Sequence, residues 1–302
     1  MTCISAHAGD DEDEDGNGKA TAALRSSSLL TGSKDGTARL WRLQASASRV
    51  AESSCVAELR GHTDGLAAVV HSPDGHRCAT GAWDASLRLW RLDTAAAVEP
   101  EAGGKRRKKG DAGAVAQASA AIVAPDATLT GHTGCVSAVC WPDLGTVYTG
   151  GWDHTLRCWD VDSGACSSIL NDGGSKAVYA LHVRPGTQIL AFCGAERAVR
   201  VWDTRSGATV ANTVLGSGHS SWVTSVRWCP WHEHQLLSAG HDGHLVLWDI
   251  RGKAPVHNVG VSADKLLAAD WARAPGAGPG ARRVAVGGSD TKLHIMSMLQ
   301  AL

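Results

Sequence analysis

The stretch TGGWDHTLRCWD, residues 149–160, carries the signals on which the fold turns. Small residues close an apolar run at Thr149–Gly151, Asp153 and His154 make a polar turn, and Leu156–Trp159 is apolar again. Two short apolar runs around a polar turn read as a β-hairpin. The same unit recurs as TGSKDGTARLW (31–41), TGAWDASLRLW (80–90), FCGAERAVRVW (192–202), SAGHDGHLVLW (238–248) and VGGSDTKLHIM (286–296), which makes six copies with 149–159. In each, an acidic residue lies six places before the Trp position: Asp35, Asp84, Asp153, Glu196, Asp242 and Asp290. Successive Trp positions are 49, 69, 43, 46 and 48 residues apart. Apart from the 69, these sit just above the roughly 40–45 residues of a four-stranded propeller blade. The aromatic balance, 12 Trp against 2 Tyr and 1 Phe, is what a repeat demanding Trp at fixed places produces.

Working outward, an alternating run precedes most hairpins: residues 66–70, 136–141, 178–183, 223–228 and 266–271. Each is expected to be the innermost strand of a blade. Three of them follow a Gly-His dipeptide, at His62, His132 and His219, with the Trp of the same unit 27 to 29 residues further on. The fold class expected is therefore all-β, a β-propeller with six recognisable blade units here and seven in the complete protein. The polar residues of the repeat have a physical reason to recur together. A turn carboxylate (Asp84, Asp153, Asp242) can accept from the Gly-His imidazole, and a strand hydroxyl (Thr80, Thr149, Ser238) can link that ring to the Trp indole. Buried polar groups then satisfy one another inside the blade. The competing reading, a hydrolase triad or metal site, fits poorly, because an active site is built once and this set is built three times. Two units depart from the pattern: Glu196 replaces Asp in a blade without Gly-His, and Met296 replaces the last Trp. Those two blades are expected to be less rigid.

With the Gly-His dipeptides and the closing pairs Trp159-Asp160, Trp202-Asp203 and Trp248-Asp249, the chain resembles the WD-repeat family. Longer stretches narrow the resemblance. Residues 221–258 (SWVTSVRWCPWHEHQLLSAGHDGHLVLWDIRGKAPVHN), 264–271 (DKLLAADW), 150–164 (GGWDHTLRCWDVDSG) and the position of a KRRKK insertion are similar to the WD-repeat ribosome-biogenesis family of the PeBoW complex. The resemblance covers nearly the whole chain and is strongest from about residue 128 onward. It implies a non-catalytic scaffold in maturation of the large ribosomal subunit and its rRNA. The implied partners are the block-of-proliferation protein and Pescadillo in pre-ribosomal particles, and the implied location is the nucleus, in nucleolus and nucleoplasm. In that family an N-terminal ubiquitin-like domain engages the ATPase midasin. Neither that domain nor a first blade is visible in these residues, so midasin binding does not carry over. The runner-up is a general WD-repeat adaptor or substrate receptor in a signalling or ubiquitin-ligase complex.

Composition bounds the rest. A chain of 302 residues with 43% hydrophobic content, 20% charge and a net charge of -1 suits a globular protein, and no apolar run approaches the length of a bilayer helix. Nine scattered cysteines without a CxxC pair suit reduced thiols rather than a disulfide framework. The whole chain, 1–302, is expected to be one N-terminally truncated propeller: residues 2–7 look like an innermost strand whose blade continues at Leu29, after an acidic run at 10–15. Residues 93–126 are expected to form a disordered, Ala/Gly-rich insertion. Its basic run Lys105, Arg106, Arg107, Lys108 and Lys109 reads as a nuclear import signal, an rRNA phosphate contact or a solvated stretch.

The expected working surface is the face carrying the acidic turns. Side chains one place before the turn acid should point to solvent: Lys34, Trp83, Trp152 and His241, with Trp222 in a neighbouring loop. Exposed Trp is a typical hot-spot residue of protein interfaces. No HExxH, phosphate loop or serine elbow is present, so no enzymatic activity, metal or cofactor is expected.

Overall fold

The computed structural model describes residues 3–8, 26–46, 49–92, 120–170, 176–206, 213–273 and 282–297. They form two compact units, 1–129 and 130–302. The first holds two sheets. Strands β1 (Cys3–Ala8), β2 (Ser26–Gly32), β3 (Thr37–Ser46) and β4 (Arg49–Arg60) make one antiparallel sheet in chain order. Strands β5 (Leu66–His71), β6 (Arg77–Ala82) and β7 (Ser86–Arg91) begin the next, which β9 (Ala127–Thr130) completes. Between them in sequence, β8 (Ala121–Val123) lies parallel against β4 and adds a fifth strand to the first sheet.

The second unit holds four sheets. These are β10 (Val136–Cys140), β11 (Thr146–Gly151), β12 (Leu156–Asp160) and β13 (Cys166–Leu170); then β14 (Val178–Val183), β15 (Ile189–Gly194), β16 (Val199–Asp203) and β17 (Thr213–Leu215); then β18 (Val223–Trp228), β19 (Gln235–Gly240), β20 (His244–Asp249) and β21 (Pro255–Gly260). The last, β22 (Leu266–Arg273), β23 (Arg282–Gly288) and β24 (Leu293–Ser297), has three strands among the described residues. Apart from the parallel β8, each sheet is a meander of antiparallel strands, the form of a β-propeller blade. The hairpins sit where the repeats place them: β11 and β12 pair Val147 with Trp159, and β19 and β20 pair Leu236 with Trp248.

Each innermost strand after β1 carries a bulge at its second residue, shown by register shifts at 66/68, 136/138, 178/180, 223/225 and 266/268. A bulge re-aims a side chain at the end of a strand. At two of these positions the freed hydroxyl reaches the next innermost strand: Ser137 donates to the carbonyl of Val178, and Thr224 to that of Leu266 at 2.8 Å. Trp228 adds two more links, from its backbone N–H to His182 Nδ1 at 3.0 Å and from its indole to the His182 carbonyl at 3.1 Å.

Apolar faces pair sheet on sheet. Leu30, Leu40 and Leu59 of the first sheet pack with Leu66, Cys78 and Trp90 of the second. In the second unit Leu156 and Leu170 pack with Leu181 and Phe192, Val201 and Leu215 with Trp228 and Trp248, and Leu245 with Leu266 and Val284. A buried Leu or Ile is worth about 1.5–3 kcal/mol, so these interleaved layers dominate the stability.

Two expectations meet the structure here. The pairing of β1 with β2 places Ala6 opposite Leu29, as a blade beginning at residues 2–7 and continuing at Leu29 requires. Of the expected insertion, 93–126, residues 93–119 lie outside the described residues and the end from residue 120 onward is ordered against the sheets. Val123 enters the first unit's core, residues 121–123 form β8, and the Asp126 backbone donates to the Leu89 carbonyl at 2.8 Å, so residues 121–126 are tied to the sheets. A three-residue strand has too little periodicity to be seen beside an Ala/Gly-rich tract. Lys105–Lys109 and residues 10–15 lie outside the described residues.

Candidate functional site

The frame under the turns is the polar network. His62 Nδ1 donates to Asp84 Oδ2 at 2.8 Å, the Thr80 hydroxyl meets His62 Nε2 at 2.7 Å, and Trp90 Nε1 donates to that hydroxyl oxygen at 2.8 Å. His132, Asp153, Thr149 and Trp159 repeat this at 2.8, 2.7 and 2.8 Å. His219, Asp242, Ser238 and Trp248 do so at 3.0, 2.7 and 2.8 Å. Each hydroxyl accepts from the indole, which leaves its own proton available to Nε2 while Nδ1–H faces the carboxylate. Burial lowers the pKa of His62 and His219, with the facing carboxylates Asp84 and Asp242 opposing. Burial pushes the Asp84 pKa up, but hydrogen bonds from Ser86, His62 and the Thr63 N–H outweigh it and hold the group at about 2.

The two departing blades rebuild this frame from other residues. Glu196 takes Arg200 in a fork, at 2.7 Å to Nε and 3.0 Å to Nη2. Asp290 accepts from His294 Nε2 at 2.7 Å and from the Ser262 hydroxyl at 3.0 Å. In both, the partner lies four residues after the acid, a signal present in the sequence but unlike the Gly-His of the complete blades.

On this frame stands a row of aromatic side chains. Trp152 and Trp222 are 42% and 48% exposed, large values for so apolar a residue. The backbone fixes them: the Trp152 N–H donates to the Cys135 carbonyl at 2.9 Å, and the His241 N–H to the Trp222 carbonyl at 2.8 Å. Gly151 and Gly240, just before these turns, lie against the network histidines. A Cβ there would come within 2.7 Å of His132 Nδ1 and 3.0 Å of His219 Nδ1. The missing side chains let the aromatic turns sit directly on the frame.

Tyr179 joins the row into one arc. Its ring centroid lies 6.4 Å from Trp152 and 6.1 Å from Trp222, and Trp222 lies 5.6 Å from His241. Tyr179 is the bulged residue of β14, which aims it at the rim. Sequence reading missed it because strict alternation hides a bulge; its position second in an innermost strand was the available signal. The structure thus brings together Trp152, Trp222 and His241, which with Tyr179 span three successive sheets of the second unit. Trp83, 46% exposed, and Lys34 belong to the first unit. They share the loop at Gly65, whose carbonyl accepts the Trp83 N–H at 2.9 Å, while a Cβ on Gly65 would lie 3.1 Å from the Lys34 carbonyl.

Around the arc, the network carboxylates of Asp153 and Asp242 are covered, with side chains 4% and 5% exposed. The arrangement offers rigid apolar surface without an activated nucleophile. Burial raises the pKa of the Cys78 and Cys193 thiols, which disfavours the thiolate. Among the described residues no three His, Cys, Asp or Glu side chains are grouped to hold a metal ion.

Comparison with known proteins agrees with this architecture. The family model described as "WD domain, G-beta repeat" matches residues 21–42, 53–91, 124–160 and 212–249. The chain is 41% identical over 276 residues to the ribosome biogenesis protein WDR12 homolog of Chlamydomonas reinhardtii, covering 88% of this chain and 60% of that protein. It is 32% identical to the proteins of the same name from Oryza sativa subsp. japonica, covering 90% and 61%, and from Arabidopsis thaliana, covering 89% and 60%. The chain therefore spans about three-fifths of the length of these curated relatives. Repeats, blades and relatives agree: the chain is built of WD repeats and has the β-propeller fold.

Proposed function

We propose that the protein is a non-catalytic assembly factor in maturation of the large ribosomal subunit and its rRNA, acting in the nucleolus and nucleoplasm. The observation that carries the mode of action is the aromatic arc Trp152–Tyr179–Trp222–His241, a half-exposed apolar surface held rigid by backbone hydrogen bonds. Such rings are buried in an interface at small entropic cost. The relatives' names supply the process, and the resemblance set out above supplies the partners: the block-of-proliferation protein as the direct one, with Pescadillo in the same particle. Trp83 and Lys34 form a second contact group on the first unit. The basic run at 105–109 acts as the import signal. Burial of the thiols and commitment of the histidines to the frame speak against enzymatic use.

Sedimentation of tagged protein from nuclear extract tests this. Co-migration with large-subunit precursors together with the block-of-proliferation protein is the expected result. Tagged protein that stays at the top of the gradient, bound to an E3 ligase instead, would overturn it in favour of the adaptor reading.

A further inference from the structure

The aromatic arc has an electrostatic surround that the polar network creates. Asp153 and Asp242 are spent inside the frame on His132 and His219, and Glu196 is spent on Arg200. Among the described residues of the same loops the cations are not spent: Lys176, Arg197 and Lys265 are exposed, against one exposed carboxylate, Asp264. These residues stand beside the arc. Lys176 precedes Ala177, whose carbonyl accepts the Ala195 N–H at 2.9 Å. Arg197 follows Glu196, whose carbonyl accepts the Val223 N–H at 3.1 Å, next to Trp222. Lys265 acts on His241 and helps lower its pKa, after burial. A protein of net charge -1 thus presents a locally positive, aromatic rim.

We propose that this rim selects an acidic, extended protein segment with apolar side chains between its carboxylates. The inference rests on the docking surface proposed above and adds the chemistry of what docks. Charge complementarity carries it: fixed cations flank rings that need apolar cover, and facing carboxylates would steer and register the segment. The reach also fits, since steps of 6.4, 6.1 and 5.6 Å across three sheets correspond to about six extended residues at ~3.3 Å each. Single-stranded RNA also seeks cations and aromatic rings, but the ring geometry gives its bases no slot between neighbouring rings, only single open faces. To sandwich a base, two rings must be parallel and roughly twice the ~3.4 Å stacking rise apart. Here neighbouring rings are tilted by 64°, 54° and 36° and already touch one another.

Fluorescence anisotropy on the whole chain tests the inference with defined probes: short labelled peptides alternating Leu or Phe with Glu, with Gln or with Lys, and labelled oligouridylate. At low salt the Glu peptide is expected to bind about tenfold more tightly than the Gln peptide, an advantage lost near ~0.5 M salt. Combining Lys176→Glu, Arg197→Glu and Lys265→Glu should reverse the order of the Glu and Lys peptides. Combining Trp152→Ala and Trp222→Ala should abolish binding of all three. Equal affinity for Glu and Gln peptides, still lost in the Trp variant, would overturn the acidic preference and leave the docking surface standing. Peptide binding indifferent to the Trp variant, or no peptide binding, would overturn both. Tighter binding of oligouridylate than of any peptide would overturn the choice of a protein ligand.

Discussion

Adjacent residues in the repeat divide folding from binding. Asp153 accepts from His132 Nδ1 at 2.8 Å, from the Thr133 N–H at 3.0 Å and from the Thr155 N–H at 3.1 Å. Removing it strands buried donors, so Asp153→Ala should cost about 2–3 kcal/mol in a urea titration. Trp152, next to it, is 42% exposed, and Trp152→Ala should cost about 0.5 kcal/mol. Equal midpoints for Asp153→Ala and the parent protein would contradict the network. Trp159 is 2% exposed and bonded to Thr149, so Trp159→Ala should cost about 3–5 kcal/mol by cavity formation and loss of the bond. Glu196→Ala should cost less than Asp153→Ala, because the Glu196–Arg200 pair keeps 16–17% of its side-chain surface in water. The three complete networks were legible in the sequence because their spacing repeats. The Glu196–Arg200 and Asp290–His294 substitutes were not, since each occurs once and a single acid–base spacing carries no weight in a sequence rich in both.

At the scale of the element, burial separates the last sheet from the others. Leu293 and Ile295 on β24 are 68% and 61% exposed, whereas Leu245 and Leu247 hold the corresponding places on β20 at 2% and 4%. Periodicity assigned both strands the same pattern, because alternation reports which residues share a face and not whether that face is covered. Leu247→Ala should therefore cost about 2–4 kcal/mol and Ile295→Ala less than about 1 kcal/mol. Matching losses in thermal melts would show that β24 is covered in solution. Hairpins and innermost strands were readable from repeat spacing, turn acids and alternating apolar residues. The bulges were not, and with them Tyr179 escaped notice, because the residue that bulges is selected by the pairing of two strands.

For the whole molecule, the frame makes stability depend on pH in two steps. The His62 and His219 pKa values are lowered on folding, so the unfolded chain binds their protons first. Stability is then full above the ordinary histidine value and falls as pH drops below about 6.5. Asp84, held at about 2, and Asp242, also lowered, add a second loss beginning below about pH 4. Denaturation midpoints from pH 8 to 3 should decline in that order, and a midpoint that rises between pH 7 and 5.5 would contradict the lowered pKa values of His62 and His219. The basic run at 105–109 bears on location: changing all five residues to Ala should reduce nuclear accumulation of a tagged protein, and undiminished nucleolar signal would show the run to be dispensable.

One surface of the second unit is expected to dock the partner, while the network beneath it only supports the fold. Titration calorimetry of the purified chain against purified block-of-proliferation protein, with Trp152→Ala and Trp222→Ala made singly and together, tests it most directly. Each single variant is expected to lose about 2 kcal/mol or more of binding with an almost unchanged melting temperature. A double variant that binds with the affinity of the parent protein would contradict the claim and move the interface away from the aromatic arc.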